Sequence, residues 1–218
     1  MEPYVYVPSQ HAETNLSVLH ALIRAHPLGV WVTAGEGGEL VANHIPFYLD
    51  ATRGEQGTLI AHVARANPVW KQFSRTTQSV VVFQGVEQYI SPSWYPSKHA
   101  HGKAVPTWNY AVVHVHGTPS TFEDADRLLE HLTTMVDKQE ANQALPWKVS
   151  DAPKDYIAQM MRAIVGIEIP IARLEGKWKV SQNRTESDRL GVVAGLLATQ
   201  DGERQEMAAL VKESLTTP

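Results

Sequence analysis

The stretch that most constrains this 218-residue chain is residues 89–117, which read YISPSWYPSKHAHGKAVPTWNYAVVHVHG. Three prolines, Pro92, Pro96 and Pro106, fix their own φ angles and disfavour helical geometry at the residue before each. Alternating or β-branched residues precede and follow them. Segment 91–106 is therefore predicted to be an irregular but stiffened loop between two strands.

This loop region also combines flat aromatic rings with positive charge. The rings belong to Trp94, Tyr95, Trp108 and Tyr110, and the basic or titratable groups to Lys98, His99, His101 and Lys103. A flat ring carrying a phosphate suits both sets of side chains. The alternative is that the rings pack in a core and the charged groups are simply solvated. Long ordered loops in compact domains are commonly functional, which favours a ligand site.

Composition excludes several classes of site. The chain has no cysteine, which rules out disulfides, cysteine-ligated zinc, iron–sulfur clusters and a cysteine nucleophile. No apolar run is long enough to cross a bilayer and the first residues do not read as a signal peptide, so we expect a cytoplasmic protein without a membrane partner. The formal net charge of −4 argues against tight duplex binding, although a local basic ridge for DNA stays possible.

Hydrophobic periodicity predicts a mixture of helices and short antiparallel strands. The predicted helices are 14–26, a short one after Asn67, 120–140, 153–164, 187–199 and 203–214. The predicted strands are 28–33, 40–49, 58–63, 79–83, 107–118 and 165–174, with a glycine-rich turn at 35–38. This order favours an α+β fold, with a Greek-key or closed antiparallel barrel and helices beside it, in a single domain covering 1–218.

Two shorter motifs suggest contacts to an anion. Asn67 and Pro68 are typical of a helix start, where free N–H groups next to Arg65 would attract a phosphate, although ordinary capping explains them equally. In segment 175–184, EGKWKVSQNR, the residues Lys177, Lys179 and Ser181 alternate on one strand face and Gln182, Asn183 and Arg184 follow. The pair His114 and His116 has no third ligand at a recognisable spacing, so no metal site is predicted.

Several uncommon motifs occur in one order along the chain: YVYVPSQHAE (4–13), ANHIPF (42–47), HVARANP (62–68), YISPSWYPSK (89–98), VPTWNY (105–110), VHVHG (113–117) and KWKVSQNR (177–184). In these motifs, and over nearly its whole length, the chain resembles the PaiB family of FMN-binding negative transcriptional regulators. Members of that family have a flavin-reductase-like split barrel, related to the pyridoxamine-phosphate-oxidase fold.

The resemblance implies a homodimer with FMN bound near the subunit boundary. It assigns the phosphate to His62, Arg65 and Asn67. It places the isoalloxazine ring against Asn43, His44, Ile45, Pro46, Ser91, Trp94 and Tyr95, with Thr107, Trp108 and Asn109 nearby. Lys179, Ser181, Gln182 and Asn183 are expected to reach the same flavin or that of the partner subunit.

Three functions remain open at this stage. The resemblance implies a repressor of genes for sporulation and degradative enzymes, with FMN as a sensed or structural ligand. The absence of a helix-turn-helix pattern favours instead a flavin-dependent oxidoreductase, in which FMN carries the redox step and His44, His99 or His101 adjusts the charge near the ring. No acid, base or nucleophile is predicted to be catalytic. A haem-binding split barrel is the third alternative, since histidines are plentiful.

Overall fold

A computed structural model describes residues 5–35, 37–198 and 201–216. The strands are β1 Ala12–Glu13, β2 Leu28–Ala34, β3 Leu40–Pro46, β4 Tyr48–Asp50, β5 Thr58–Ala64, β6 Ser79–Ile90, β7 Thr107–Gly117, β8 Ser120–Phe122, β9 Ile164–Pro170 and β10 Arg173–Lys179. The helices are α1 Leu16–Ala25, α2 Val69–Gln72, α3 Pro96–His101, α4 Ala125–Glu140, α5 Lys154–Arg162, α6 Glu186–Leu197 and α7 Gly202–Thr216, and single 3₁₀ turns lie at Ser9–His11, Pro92–Trp94 and Val149–Asp151. The predicted α+β class with antiparallel sheets is confirmed.

The chain forms two compact units, which are described separately below. Unit 1 comprises Met1–Ala25, Gln84–Val113 and Glu175–Pro218, and unit 2 comprises His26–Phe83 and His114–Leu174. The prediction of a single domain over 1–218 stays a prediction.

An aromatic core holds the sheets of unit 2. Strand order is β7-β6-β2-β3 in one sheet and β4-β5-β9-β8 in the other. The fully buried ring of Trp31 lies 6.5 Å from the ring of Phe47 and 5.6 Å from that of Phe73. Its indole N–H donates to Ser79 Oγ at 2.9 Å, so the polar edge of the ring is satisfied inside the core.

On another face of unit 2, α4 packs over β5 and β8. Asp124 caps this helix by accepting a hydrogen bond from the Arg127 backbone N–H. Leu128, in the first turn of the helix, is buried against Ile60 and Phe122. The cap and this apolar contact together fix where α4 begins on the sheet.

The core of unit 1 lies between strands and the two C-terminal helices. Strand order is β1-β10-β7-β6, with Ala12 opposite Lys177 in the antiparallel β1–β10 pair. The buried cluster consists of Val86, Ile90, Tyr95, Val180, Val192, Val193, Leu196, Met207, Ala208 and Val211. Residues from β6, the loop after it, α6 and α7 therefore share one apolar core.

Two glycines of α6 let the proline-rich loop approach this helix closely. A Cβ atom on Gly191 would overlap the carbonyl oxygen of Trp94, and one on Gly195 would overlap the Trp94 ring. Only glycine leaves room for these contacts. The loop is therefore packed on the helix rather than suspended in solvent.

Several predicted boundaries were wrong. The predicted strand 79–83 continues to Ile90, and the predicted strand 165–174 is divided between β9 and β10 by a break at Ile171 and Ala172, whose N–H groups donate to Gly57 and His116. The predicted strand 40–49 is two strands, because the backbone turns at buried Phe47, whose N–H donates to Pro27. The predicted loop 91–106 contains α3, because Pro96 occupies its first position and Gly102, at φ +71°, ends it.

Two further errors concern helix starts. Residues 120–122 form β8, so α4 begins after Asp124 rather than at the predicted start. The helix after Asn67 has four residues with Pro68 at the cap position, not Asn67. Two predicted positions, Glu36 in the glycine-rich turn and Thr199 at a helix end, lie outside the described residues.

The glycine contact on α6 predicts a stability effect. Gly195→Ala should lower the free energy of unfolding by about 1–3 kcal/mol, the usual cost of overpacking, although alanine favours helix elsewhere. Urea unfolding of the variant measures this. Gly202→Ala is the matched control, because nothing lies within 4 Å of its added Cβ. Equal stability of the two variants would contradict the packing argument.

Candidate functional site

A buried hydrogen-bonded pair in unit 1 joins two of the motifs found in the sequence. The amide of Asn109, on β7, donates to Ser181 Oγ at 2.9 Å, and both residues are buried. Ser181 has φ +66°, the only positive φ of a non-glycine among the residues that the structure describes. Strained backbone of this kind persists where surrounding contacts enforce it and is enriched at functional sites.

The turn after Ser181 is held by Gln182. Its Oε1 accepts the Val180 backbone N–H at 2.8 Å and its Nε2 donates to the Trp178 carbonyl. Asn183 follows with an exposed side chain. The end of β10 is therefore a preorganised turn that presents Asn183 to solvent.

Positive charge lies beside this turn. Lys179 Nζ donates to Thr107 Oγ1 at 2.6 Å, and its ammonium group is 6.0 Å from the Tyr110 ring. Lys177, on the same strand face, donates to the Tyr6 carbonyl at 2.8 Å. Both lysines are half-buried, which strengthens their interaction with an anion relative to fully exposed ammonium groups.

The aromatic residues of the predicted site fall into two groups. Trp108 is 52% exposed and its ring lies 6.1 Å from that of Tyr89, which is 47% exposed. Both rings are accessible to solvent, and their planes lie at 74° to each other. Tyr95 is fully buried in the core and Trp94 is half-buried against α6. For Trp94 and Tyr95 the structure therefore favours the packing alternative over direct ligand contact.

A buried carboxylate that the sequence analysis missed anchors the same loop. Asp188 on α6 accepts hydrogen bonds from Ser97 N–H at 3.0 Å and Ser97 Oγ at 2.7 Å. Burial acts to raise the pKa of Asp188, but these bonds and that from Thr185 outweigh it and hold the pKa below its usual value. Its spacing from Gly191 and Gly195, three and seven residues later on one helix face, was the signal available in the sequence. Ser91 is half-buried at the start of the loop, where its hydroxyl accepts from Ser93 N–H.

His11 is a second residue that the predicted site lacked. Its side chain is buried and lies close to Lys177, Lys179 and Gln182. Burial is the main cause that lowers its pKa, the two ammonium groups lower it further, and the hydrogen bond with Gln182 opposes the change. The motif 4–13 contained it, but nothing in the sequence distinguished a buried histidine from a solvated one.

A second pair of motifs is joined within unit 2. Asn67 Nδ2 donates to Asn43 Oδ1 at 2.9 Å, and Asn67 Oδ1 accepts the Val69 N–H at 3.0 Å. Asn43 lies on β3, where His44 and Pro46 are exposed and Ile45 is buried. The Asn43–Asn67 contact thus fixes the side chains of two segments that the sequence analysis assigned to one ligand.

Arg65 is engaged by protein acceptors. Its Nε donates to the Arg162 carbonyl at 2.8 Å, Nη1 to Glu123 at 2.7 Å and Nη2 to the Ile164 carbonyl at 3.0 Å. All three nitrogens of the guanidinium therefore donate hydrogen bonds to protein acceptors, which lie in α5, in β9 and in the segment before α4. The four-residue α2 is also too short to supply a helix dipole to an anion.

His62 faces another histidine. Its Nδ1 lies 3.1 Å from Nε2 of His131 on α4, and the two rings are nearly perpendicular. Burial lowers the pKa of His62, and it lowers the pKa of His131 to about 4. Both imidazoles are consequently neutral at pH 7, so His62 brings no positive charge to a phosphate.

Two negative findings apply to the described residues. No group of three or more His, Asp or Glu side chains in the described parts of the chain could hold a metal ion. No helix among residues 5–35, 37–198 and 201–216 is long and apolar enough to cross a membrane.

Comparisons with known proteins identify the family. Residues 5–173 match the family model described as "Putative FMN-binding domain", and the chain belongs to that family. It is 31% identical to Protease synthase and sporulation protein PAI 2 of Bacillus subtilis, over 97% of this chain and 98% of that protein. It is also 33% identical to an uncharacterized protein of Emericella nidulans, over 91% of this chain and 94% of that protein.

Solved structures establish the fold. The flavocytochrome Anf3 of Azotobacter vinelandii matches with a TM-score of 0.52 at 15% identity, covering 87% of this chain and 78% of that one. The FAD and heme binding protein of Mycobacterium smegmatis matches with a TM-score of 0.54 at 15% identity, covering 78% and 73%. The fold is the split-barrel class of flavin-binding proteins, as the sequence predicted.

The left-handed turn at Ser181 predicts an unequal effect of two substitutions. Ser181→Ala removes the bond to Asn109 and keeps the strained φ, so unfolding free energy should fall by about 1–3 kcal/mol. Ser181→Gly loses the same bond but relieves the strain, and should be about 1 kcal/mol more stable than Ser181→Ala. Chemical denaturation of both variants measures the difference. If the alanine variant equals or exceeds the glycine variant in stability, the turn is not strained.

Proposed function

We propose that this protein binds FMN through the Lys179, Ser181 and Asn109 region of unit 1. The observation that carries the proposal is the pair of contacts that bring β7 and β10 together, Asn109 to Ser181 and Thr107 to Lys179. The family match supplies the ligand.

The chemistry of these side chains fits FMN. Lys179 supplies a cation for the phosphate or for negative charge on the ring, and Thr107 orients its ammonium group. The exposed ring of Trp108 suits stacking against a flat heterocycle. Asn183 and the backbone of the Ser181 turn add hydrogen-bonding groups.

The unit 2 residues form a separate part of the proposal. We propose Asn43 and Asn67 as polar contacts, with the exposed residues His44 and Pro46 and the buried Ile45 beside them on β3. Arg65 and His62 stay in the proposed set with altered roles, since Arg65 holds protein acceptors and His62 is neutral. Four further residues of unit 1 are proposed to position their neighbours rather than to contact the ring: Ser91, Trp94, Tyr95 and Gln182.

When bound, FMN supplies reversible electron transfer, and the protein supplies binding, orientation and charge. Lys179 would hold negative charge near its ammonium group, and buried Asn109 keeps the adjoining turn in one conformation.

We propose a regulatory role for the FMN-binding protein, namely negative control of transcription. Support comes from the name of the PAI 2 relative, which refers to protease synthase and sporulation. The net charge of −4 makes direct binding to DNA the less favoured route. FMN would then act as a sensed or structural ligand in the cytoplasm.

The second candidate is a flavin-dependent oxidoreductase. The exposed rings of Trp108 and Tyr89 favour it, because a second flat reactant can stack on an accessible ring. A haem-binding split barrel is the third candidate, supported by the printed names of the flavocytochrome and the FAD and heme binding protein. Anaerobic addition of NADH or NADPH to the FMN-loaded protein separates the first two candidates. Bleaching of the flavin bands supports the enzyme, and a Soret band on adding haem supports the third.

FMN binding is tested by titrating flavin fluorescence against protein. Saturable quenching is expected for the wild type, and Lys179→Ala should weaken binding about 10- to 100-fold, since a charge-assisted hydrogen bond contributes about 1.5–3 kcal/mol. Lys212→Ala removes the same charge from an exposed position on α7 and is the matched control. Equal affinity of the Lys179→Ala and wild-type proteins would remove Lys179 from the site.

Arg65→Ala gives a contrasting result. Because its guanidinium bridges Glu123 and two carbonyls, its loss should lower the free energy of unfolding by about 1–3 kcal/mol. FMN affinity, measured at a temperature where the variant is folded, should change less than in Lys179→Ala. If Arg65→Ala lost more FMN affinity than Lys179→Ala, the result would indicate that Arg65 contacts the phosphate.

The homodimer is also proposed. Strand β3 lies at the end of its sheet in unit 2, and the flanking side chains of Leu28 and Leu40 are 58% and 77% exposed. Exposed edge strands with apolar flanks are suited to pairing with a second copy. Light scattering after size exclusion should give twice the chain mass of 24.2 kDa. A monomer mass at micromolar concentration would contradict this.

A further inference from the structure

The contact between His62 and His131 restricts which ring nitrogen of each histidine can carry its proton. The two nitrogens are 3.1 Å apart, and both imidazoles are neutral at pH 7, so one must carry the proton and the other a lone pair. Only two arrangements satisfy this. Either His131 Nε2–H donates to His62 Nδ1, or His62 Nδ1–H donates to His131 Nε2.

The other nitrogen of His131 decides between them. His131 is 5% exposed, and its Nδ1 is buried without a hydrogen-bond partner among the described residues. In the second arrangement that nitrogen would carry a buried, unpaired N–H. In the first it carries only a lone pair, which is the less costly group to leave unpaired in a protein interior. The first arrangement also gives both rings the Nε2–H form that isolated neutral imidazole side chains prefer.

We propose that His131 is a positioning residue that holds His62 in the neutral form with its proton on Nε2. The Phe122 ring packs edge-on against His131 and keeps it in place on α4. The Nε2 atom of His62 has no hydrogen-bond partner in the described parts of the chain and is not among the buried unpaired atoms. His62 therefore offers a directed N–H donor without a positive charge.

The protonation of His62 does not depend on the proposed function. Only its role does, since a neutral donor at His62 suits an acceptor oxygen of FMN. The resemblance assigned the phosphate to His62, and a neutral N–H at Nε2 would donate to it without adding positive charge. A neutral donor discriminates by geometry, because its hydrogen bond depends on alignment more than a Coulombic attraction does. No charged side chain contributes to lowering the pKa of His62, whose cause is burial alone, so the contact with His131 is the specific interaction at this ring.

Long-range ¹H–¹⁵N NMR of the flavin-free, ¹⁵N-labelled protein tests the proposal, with His62→Gln assigning the signal. The wild type should show His62 protonated at Nε2 and bare at Nδ1. His131→Phe keeps an aromatic ring beside Phe122 but removes the donor, so His62 should become a mixture of tautomers. His131→Gln, which retains an N–H donor, should restore the wild-type pattern.

FMN titration of the same variants provides a second readout. His131→Phe should weaken FMN binding about threefold to tenfold, the range for one neutral hydrogen bond, and His131→Gln should recover most of it. A wild-type His62 protonated at Nδ1, or an unchanged tautomer ratio in His131→Phe, would overturn the inference. If the NMR result stands but wild-type protein does not bind FMN, it is the proposed function that has failed.

Discussion

The hydrogen bond between Asn109 and Ser181 fixes the part of unit 1 on which the proposed site depends. It joins residues 72 positions apart, lies in the interior, and holds a serine at φ +66°. An amide and a hydroxyl buried without each other would each lose the hydrogen bonds they make in water, so their pairing strongly restricts how β7 and β10 meet. Lys179, the last residue of β10, and Thr107, the first residue of β7, are joined by a second hydrogen bond.

The helix α6 extends this constraint to the proline-rich loop. Asp188 binds the start of α3, and Gly191 and Gly195 receive the main chain and ring of Trp94. One face of α6 thus holds the loop through hydrogen bonds to a carboxylate and through close packing at two glycines. The prolines limit the loop's alternatives, and the helix selects one of those that remain.

Sequence periodicity was sufficient for the fold class, since α1, β2, β7, α5 and α6 lie close to their predicted ranges. The resemblance also led to residues that do meet in the structure, such as Asn43 with Asn67. What could not be predicted was the direction of side chains. Tyr95 and Trp108 have similar chemistry in the sequence, yet one is fully buried and the other half exposed. Arg65 and His62 were expected to face an anion, but their partners Glu123 and His131 are 58 and 69 residues away. Such long-range pairings leave no local pattern.

The close packing of Trp94 on α6 has a consequence for how this protein is studied by mutagenesis. A library of variants scored by loss of yellow colour would collect substitutions at Trp94, Tyr95 and Gly195 alongside those at Lys179 or Trp108. The first group would lose colour because the C-terminal helices no longer have a surface to fold on, and the second because the ligand has left an intact protein. A screen for colour alone cannot separate these two groups of variants, whereas the yield of soluble protein would. A flavin pocket mapped from colour alone would therefore include residues of the unit 1 core.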